Sequence, residues 1–384
     1  MLKVLHVMGK YLPDNGGTIQ RVRNLLLPLV RRGLCEIHLI APKQGFNEKR
    51  SLLNSKLSNE EIIEGIIVHR VEKFSHLFRA IHKISQKYNI DLIHTHNPRL
   101  DLFCYTSRIK KPIISEIHTI RELNLIKFKL TKFTYQRAIK IICLSKKMKE
   151  EIMRKYQIPD KKIEVIYNGV DISQINLKIE ECDDIRMKYH IQEEFVIGYI
   201  GTFYQWQGVR DLVKAFSFLL HKREDAHLLL VGNGPDLNFI NKLIDEFGLK
   251  KKVTITGMIS SEKIYDYYKA IDVFIIPRPS SIETETAVPL KVFESMAANK
   301  TIIATRVGGL SEVIENGFNG ILVSPGNPEE LGQSIHQLLI NKNLRIRLSE
   351  NAYKTVKDKF QWENSSKKLF NLYENCINSY KQNY

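Results

Sequence analysis

The sequence contains no run of about 18–20 uninterrupted apolar residues, so no membrane-spanning helix is expected. Its opening, Met1-Leu2-Lys3-Val4-Leu5-His6-Val7-Met8-Gly9, is too short and too interrupted for a secretory signal and reads as a first β-strand. Cysteine is sparse: five in 384 residues, at Cys35, Cys104, Cys143, Cys182 and Cys376. No pair of them has metal-ligand or redox spacing, which excludes a zinc module and a disulfide framework and points to a reducing, cytoplasmic compartment. Aromatic RNP motifs and basic regions with heptads are also missing, which excludes the nucleic-acid modules they mark. There is no short-period repeat and no low-complexity tract.

What is present in excess is positive charge. Lys and Arg number 58 against 42 Asp and Glu, a formal net charge of +16. A basic surface attracts polyanions: nucleic acid, an anionic membrane face or phosphorylated substrates. Charge alone does not choose among these, and lysines spread over polar helix faces also serve as a solvated surface.

Short apolar runs alternate with helical patterns along the whole chain. Val4 to Met8 is followed by a turn and a helix pattern, Thr18 to Arg32, with Ile19, Val22, Leu25, Leu26 and Leu29 at helical spacing. Strands are expected at 37–40, 66–68, 91–94, 113–116, 140–145 and 163–166. The stretch 172–193 reads as a charged linker. A second series follows at 195–201, 227–231, 253–255, 273–276, 301–304 and 320–323. Strands alternating with helices predict parallel sheets covered on both faces. The expected fold is therefore α/β, with two Rossmann-like, doubly wound domains over 1–172 and 193–361. Ligands of such sheets sit beyond the carboxyl ends of the strands, and the default site is a cleft between the domains. Residues 362–384 read as a terminal helix carrying Leu369, Phe370, Leu372 and Tyr373.

Three stretches carry chemistry. Pro13-Asp14-Asn15-Gly16-Gly17-Thr18 runs into a helix; paired glycines permit close backbone approach, and a helix start attracts an anion. The same loop also reads as a simple cap turn. It is not GxGxxG, so no nicotinamide cofactor is indicated, and none is expected. The second stretch, Pro277 to Ala298, follows a strand with a polar loop holding Arg278, Glu283 and Glu285. A helix then starts near Pro289, placing Lys291 and Glu294 on one face. Two cations, up to three carboxylates and a helix start suit a phosphorylated sugar, with cations for phosphate and carboxylates for hydroxyls. Third are the strand-end histidines of His94-Thr95-His96-Asn97-Pro98 and Ser115-Glu116-Ile117-His118-Thr119-Ile120-Arg121-Glu122. They lack the i, i+4 helical spacing of a zincin and are read as structural, with no metal expected.

Taken in order, these residues resemble family 4 of the retaining glycosyltransferases, which have the GT-B fold. The resemblance spans nearly the whole chain. It rests on Gly16-Gly17, Glu116-Ile117-His118, Ile142-Cys143-Leu144-Ser145 and Val165-Ile166-Tyr167-Asn168-Gly169-Val170-Asp171. It continues through Leu229-Leu230-Val231-Gly232-Asn233-Gly234-Pro235, Val253-Thr254-Ile255-Thr256-Gly257, the 289–298 helix, Thr305-Arg306-Val307-Gly308-Gly309-Leu310-Ser311-Glu312 and Phe360-Gln361-Trp362. The family's carboxylate pair is Glu, seven residues, Glu. Here the second matches Glu294, but the position eight before it is Thr286. Glu285-Thr286-Ala287-Val288-Pro289-Leu290-Lys291 instead resembles the branch reading TELVTPLK-x-x-E. The family also grips the donor pyrophosphate with an Arg and a Lys after the strand that opens the second domain. This chain has Thr202 and Gln207 there, within Gly201-Thr202-Phe203-Tyr204-Gln205-Trp206-Gln207-Gly208.

The resemblance implies a metal-independent, retaining hexosyl transfer from a UDP- or GDP-linked sugar, and a terminal helix crossing back to the first domain. It places Glu285 and His118 at the transferred sugar, His118 as a hydrogen-bond donor or through its carbonyl. Glu294 falls on the ribose, with Arg278 and Lys291 replacing the missing phosphate-binding pair. Gly16, Gly17, Gly201, Thr202, Gln207, Asn233, Val288 and Leu290 complete the expected donor contacts. The helix pattern after Leu123 mixes Leu125, Ile126, Phe128, Leu130 and Phe133 with Lys127, Lys129, Lys132 and Arg137. It suits either an anionic membrane surface or a core-facing helix with a solvated basic side. On the membrane reading the acceptor is a glycan or lipid-linked molecule of cell-surface polysaccharide synthesis, and the protein is peripheral on the inner face of the membrane. The rivals are a nucleotide-sugar epimerase of the same fold and an inactive nucleotide-sugar-binding protein. No specific nucleic-acid partner is expected.

Overall fold

A computed structural model of the chain describes residues 1–14, 16–43, 57–106, 109–120, 123–180, 183–193, 195–222, 225–260 and 262–383. Asn15, Arg121, Glu122 and Cys182, singled out above, lie outside these residues. The other four cysteines are buried and unbridged. The chain divides into two compact units, Met1–Asn168 with Trp362–Tyr384, and Gly169–Gln361. Among the described residues no helix is long and apolar enough to cross a membrane.

The first unit is built on β1 (Leu2–Val7), β2 (Cys35–Pro42), β3 (Glu60–Ile63), β4 (Ile66–Val71), β5 (Leu92–Thr95), β6 (Ile113–Ile117), β7 (Lys140–Cys143) and β8 (Ile163–Val165). Their order in the sheet is β3-β4-β2-β1-β5-β6-β7-β8. All pairs are parallel except β3 with β4, a hairpin turning at Glu64 and Gly65, whose φ values are 52° and 84°. Reading alternation from the sequence missed β3, because it is a partly exposed edge strand with two glutamates. The β7 run was expected to continue to Ser145. It stops at Cys143 because the Ser145 side chain caps the next helix, accepting a hydrogen bond from the Met148 N–H.

The second unit holds β9 (Phe195–Ile200), β10 (Ala226–Val231), β11 (Val253–Ile255), β12 (Val273–Ile276), β13 (Thr301–Thr305) and β14 (Ile321–Val323). Their order is β11-β10-β9-β12-β13-β14, and every pair is parallel. Each residue of β9, β10, β12 and β13 is buried, as expected for strands covered on both faces. The stretch expected as a charged linker instead carries two helices, Ile172–Glu180 and Ile185–Lys188. Ile172, Ile175 and Ile185 are buried, so its sparse apolar residues suffice to dock it on the second unit.

In both sheets the strand order reverses beside the first strand of the series. In the first unit this switch lies between β1 and β5; in the second it lies between β9 and β12. Loops leaving the carboxyl ends of these strands diverge and open a crevice, the usual ligand position of such sheets.

Candidate active site

In the second unit the β9 and β12 loops meet. Gly208 has φ of 75°, and a Cβ there would lie 1.7 Å from the Pro277 carbonyl oxygen, so only glycine permits this approach. The stretch after β12, read from the sequence as loop, contains a short helix, Ile282–Thr286, closed by a Ser281–Thr284 capping box. The next helix, Leu290–Ala297, has Pro289 at its N-cap.

Two cations stand at this crevice. Arg278 is buried and donates from Nη1 to the Ala287 carbonyl at 3.3 Å, while its Nε has no partner. Lys291 donates to the Tyr199 hydroxyl at 3.0 Å, approaches Gln207 Oε1 at 3.4 Å and lies 4.2 Å from the centre of the Tyr199 ring. A side chain at Gly201, where φ is 145°, would come within 2.5 Å of Lys291 Nζ. Among the described residues neither cation has a carboxylate ion-pair partner. Burial, with Arg278 next, pushes the Lys291 ammonium down to about 7, against a smaller opposing pull from Glu294. Burial also lowers Arg278, to about 10. Glu294 accepts from the buried Tyr268 hydroxyl at 3.2 Å, and burial raises its pKa despite that bond and Lys291.

Other expected contacts differ in placement. Thr202 and Asn233 are exposed; Val288 is buried and Leu290 partly so. The Glu285 carboxylate accepts from the Gly308 N–H at 2.6 Å and the Ser280 hydroxyl at 2.7 Å. It thus ties its own short helix to the glycine pair after β13.

The first unit gathers a different cluster. Gly16 is the N-cap of the helix Gly17–Arg31, with no side-chain cap, and both glycines are exposed. From that helix the buried Arg21 donates to Glu116 at 2.9 and 3.3 Å, to Asn168 at 3.0 Å and to the Ile166 carbonyl at 3.0 Å. Around Glu116 stand His6, His94, His96 and His118, with Tyr373 from the terminal helix bridging His94 and His6 at 2.7 and 3.2 Å. His96 Nδ1, Glu116 Oε1 and His118 Nε2 form a triangle with edges of 3.1–3.5 Å, a spacing a metal ion could use, as could His6, His94 and His96. Burial raises the Glu116 carboxyl, but Arg21 and the histidines more than reverse this and leave it well below the carboxylate range. Burial is also the main cause that lowers His6 and His94 well below their ordinary value and takes His118 to about 3.

The chain matches the family described as Glycosyltransferase Family 4 over residues 15–174 and the one described as Glycosyl transferases group 1 over residues 182–355. The chain belongs to this glycosyltransferase family. Its relatives include an uncharacterized glycosyltransferase of Methanocaldococcus jannaschii, 28% identical over 97% of this chain and 98% of the other. Another is the N-acetyl-alpha-D-glucosaminyl L-malate synthase of Bacillus anthracis, 25% identical over 76% and 75%. Among solved structures, Anabaena HepE in complex with UDP superposes with a TM-score of 0.78 at 18% identity, covering 98% of this chain and 100% of that one. The fold is GT-B and the protein is an enzyme, a glycosyltransferase.

Within this glycosyltransferase Gly201 and Gln207 lie against Lys291, and Arg278 and Glu294 are near enough to act on its charge. Glu285 stands at Gly308 instead. Gly16, Gly17 and His118 belong to the other unit. Sequence reasoning passed over Tyr199, Tyr268, Arg21 and Tyr373. Each lies on a strand or helix face where an aromatic or a lone Arg reads as ordinary core or surface. The helix Leu125–Arg137 exposes Leu125, Ile126, Leu130 and Phe133, while Thr131, Thr134 and Tyr135 are its buried residues. The helix docks through Tyr135 and through Phe128, which stacks on the buried Tyr156 at 5.1 Å, and leaves its other apolar side chains outside the core.

Proposed function

We propose that the enzyme transfers a hexosyl group, with retention, from a nucleotide-diphosphate sugar whose diphosphate is neutralised by Arg278 and Lys291. The observation that carries this reading is the pair of desolvated cations without carboxylate partners at the β9–β12 switch point. Such cations cost stability unless an anion joins them. As the bond from the anomeric carbon to the phosphate oxygen breaks, negative charge builds on the leaving diphosphate. Arg278, Lys291 and the start of the helix Leu290–Ala297 stabilise that charge in place of the family's Arg and Lys at Thr202 and Gln207. Glu294 binds the ribose. Val288, Leu290 and Asn233 line the nucleotide, and Glu285 meets a sugar hydroxyl. On the family resemblance His118 is assigned to the transferred sugar, and Gly16 and Gly17 to the donor. The UDP in the HepE structure supports a nucleotide donor, UDP- or GDP-linked.

The test is turnover of UDP- and GDP-linked sugars by Arg278→Ala and Lys291→Ala. Each is expected to lose about a hundredfold or more in kcat/KM. Near wild-type rates in both would reject the assignment. Incubation with donor alone separates an epimerase, which would change the sugar without an acceptor, and a pure binding protein, which would do nothing with acceptor present.

The exposed side of the helix Leu125–Arg137 favours a second element. Leu125 and Ile126 are 67% and 71% exposed beside Lys127 and Lys129. An exposed apolar and basic face suits an anionic membrane surface, and hence a lipid-linked or glycan acceptor of cell-surface polysaccharide synthesis. Sedimentation with anionic vesicles is expected, and it should disappear in a Lys127→Glu, Lys129→Glu, Lys132→Glu variant. No binding by the intact protein would end this reading.

A further inference from the structure

The chain leaving β9 runs Gly201-Thr202-Phe203-Tyr204-Gln205-Trp206-Gln207-Gly208, an arch without a charged residue in a chain that is 26% charged. Both ends of the arch are clipped to Lys291. Lys291 donates to the Tyr199 hydroxyl, which donates in turn to the Thr202 carbonyl at 3.0 Å. At the other end Gln207 Oε1 lies 3.4 Å from Lys291 Nζ. Between the ends Phe203 is fully buried; its N–H donates to the Asn233 carbonyl and its carbonyl accepts from the Asp236 N–H, both at 2.9 Å. Gln205–Gln207 forms a 3-10 turn, and the Gln207 N–H donates to the Tyr204 carbonyl at 2.8 Å. The crown of the arch is therefore held from both sides.

On this crown Tyr204 and Trp206 stack, with ring centres 4.2 Å apart and planes 10° from parallel. They are nonetheless 37% and 45% exposed. Keeping that much aromatic surface in water forgoes the stabilisation that burial would give. The pair also adjoins the cation crevice, since Trp206 is one residue, about 3.8 Å between Cα atoms, from Gln207. Exposed Thr202 and Gln205 supply a hydroxyl and an amide on the same arch. An exposed apolar surface with neutral polar groups around it marks a ligand site.

A pyranose ring matches both parts: its C–H face lies on an aromatic ring, and its hydroxyls meet hydroxyl and amide side chains. The lack of charge on the arch disfavours a phosphate or an anionic head group there. In the proposed function the nucleotide already has Glu294, Val288, Leu290 and Asn233. The sugar has in this unit Glu285, whose carboxylate is engaged by Gly308 and Ser280. We propose that the Tyr204–Trp206 stack is the sugar platform of this site and takes the apolar face of a pyranose, belonging either to the donor or to the acceptor. This deepens the proposed function and rests on it for the diphosphate at Lys291.

The test uses the full chain labelled with 15N-tryptophan. Its two tryptophans, Trp206 and the buried Trp362, give two indole N–H signals, assigned by Trp206→Phe. UDP and GDP alone, read by protection against thermal unfolding, test the diphosphate reading by itself. UDP-glucose, UDP-N-acetylglucosamine and GDP-mannose follow, then methyl glucosides added to UDP-saturated and to nucleotide-free protein. A Trp206 shift with a nucleotide sugar that exceeds the shift with its nucleotide puts the transferred sugar on the platform; a shift with a glycoside puts the acceptor there. No sugar-dependent shift, or the same shift from UDP alone, which would mean a base on the rings, would overturn the proposal. Nucleotide protection without a sugar-dependent shift rejects the platform and leaves the diphosphate reading standing; a glycoside shift without nucleotide protection does the reverse. Trp206→Ala should weaken the sugar ligand about tenfold and leave UDP affinity unchanged. Trp206→Tyr keeps a ring and should recover most of the loss, whereas Trp206→Leu should not. Unchanged sugar affinity in Trp206→Ala, or equal recovery by leucine, would refute stacking.

Discussion

The two units each bury cations, and they treat them oppositely. Arg21 finds a carboxylate, an amide oxygen and a carbonyl, all at 2.9–3.3 Å. Arg278 finds one carbonyl at 3.3 Å and leaves Nε alone; Lys291 finds a phenol at 3.0 Å and an amide oxygen at 3.4 Å. A guanidinium with a complete set of acceptors is part of the framework. Cations held in a crevice without a carboxylate ion-pair partner are, on the proposed function, the ones that an incoming anion neutralises. The contrast separates charge balanced within the fold from charge that is not.

The contrast can be broken most forcefully at Arg21. Arg21→Ala would leave Glu116 charged and buried among neutral histidines, at an expected cost of about 3–5 kcal/mol in urea unfolding. A loss near zero would mean that Arg21 is no more structural than Lys291. A smaller effect should appear in the pH dependence of donor binding. With Lys291 held near 7, the diphosphate selects the ammonium form, so affinity should be highest below pH 7 and fall as pH rises through that value. Between one unit below and one unit above, the fall is about tenfold, and Lys291→Arg should flatten it. A sugar diphosphate ester as titrant keeps the ligand's own charge constant. The smallest effect is on stability. A folded-state pKa below the ordinary lysine value means the folded state binds fewer protons at neutral pH than the unfolded chain. Lys291→Met should therefore raise stability by about 1 kcal/mol while weakening donor binding. Destabilisation by that substitution would move Lys291 into the same class as Arg21.

Much of the fold could be read from local pattern. The β12 run ends where Ile276 gives way to Pro277, and the helix after the first loop shows its apolar stripe plainly. What escaped was local structure with a weak apolar signal. The hairpin strand Glu60–Ile63 is partly exposed, the helix Ile282–Thr286 has a threonine in place of the usual acidic partner of its capping box, and the helices of 172–188 carry few apolar residues. In the candidate site, Arg278, Lys291 and Glu294 were legible because they fall within one stretch of 17 residues between a strand and a helix. Tyr199 and Tyr268, which hold Lys291 and Glu294, were not, because they come from remote elements and look like ordinary core aromatics.

By itself the sequence determined the parallel α/β character, the family and the short motif that carries the two cations proposed to bind phosphate, since each depends on neighbours in the chain. Tertiary structure alone decided which charges are balanced. Arg21 and Glu116 are 95 residues apart, and His94 and Tyr373 are 279 apart. Burial and Coulomb attraction act through space over a few ångströms, so whether a charge is satisfied is a property of the folded neighbourhood and leaves no mark on the local pattern.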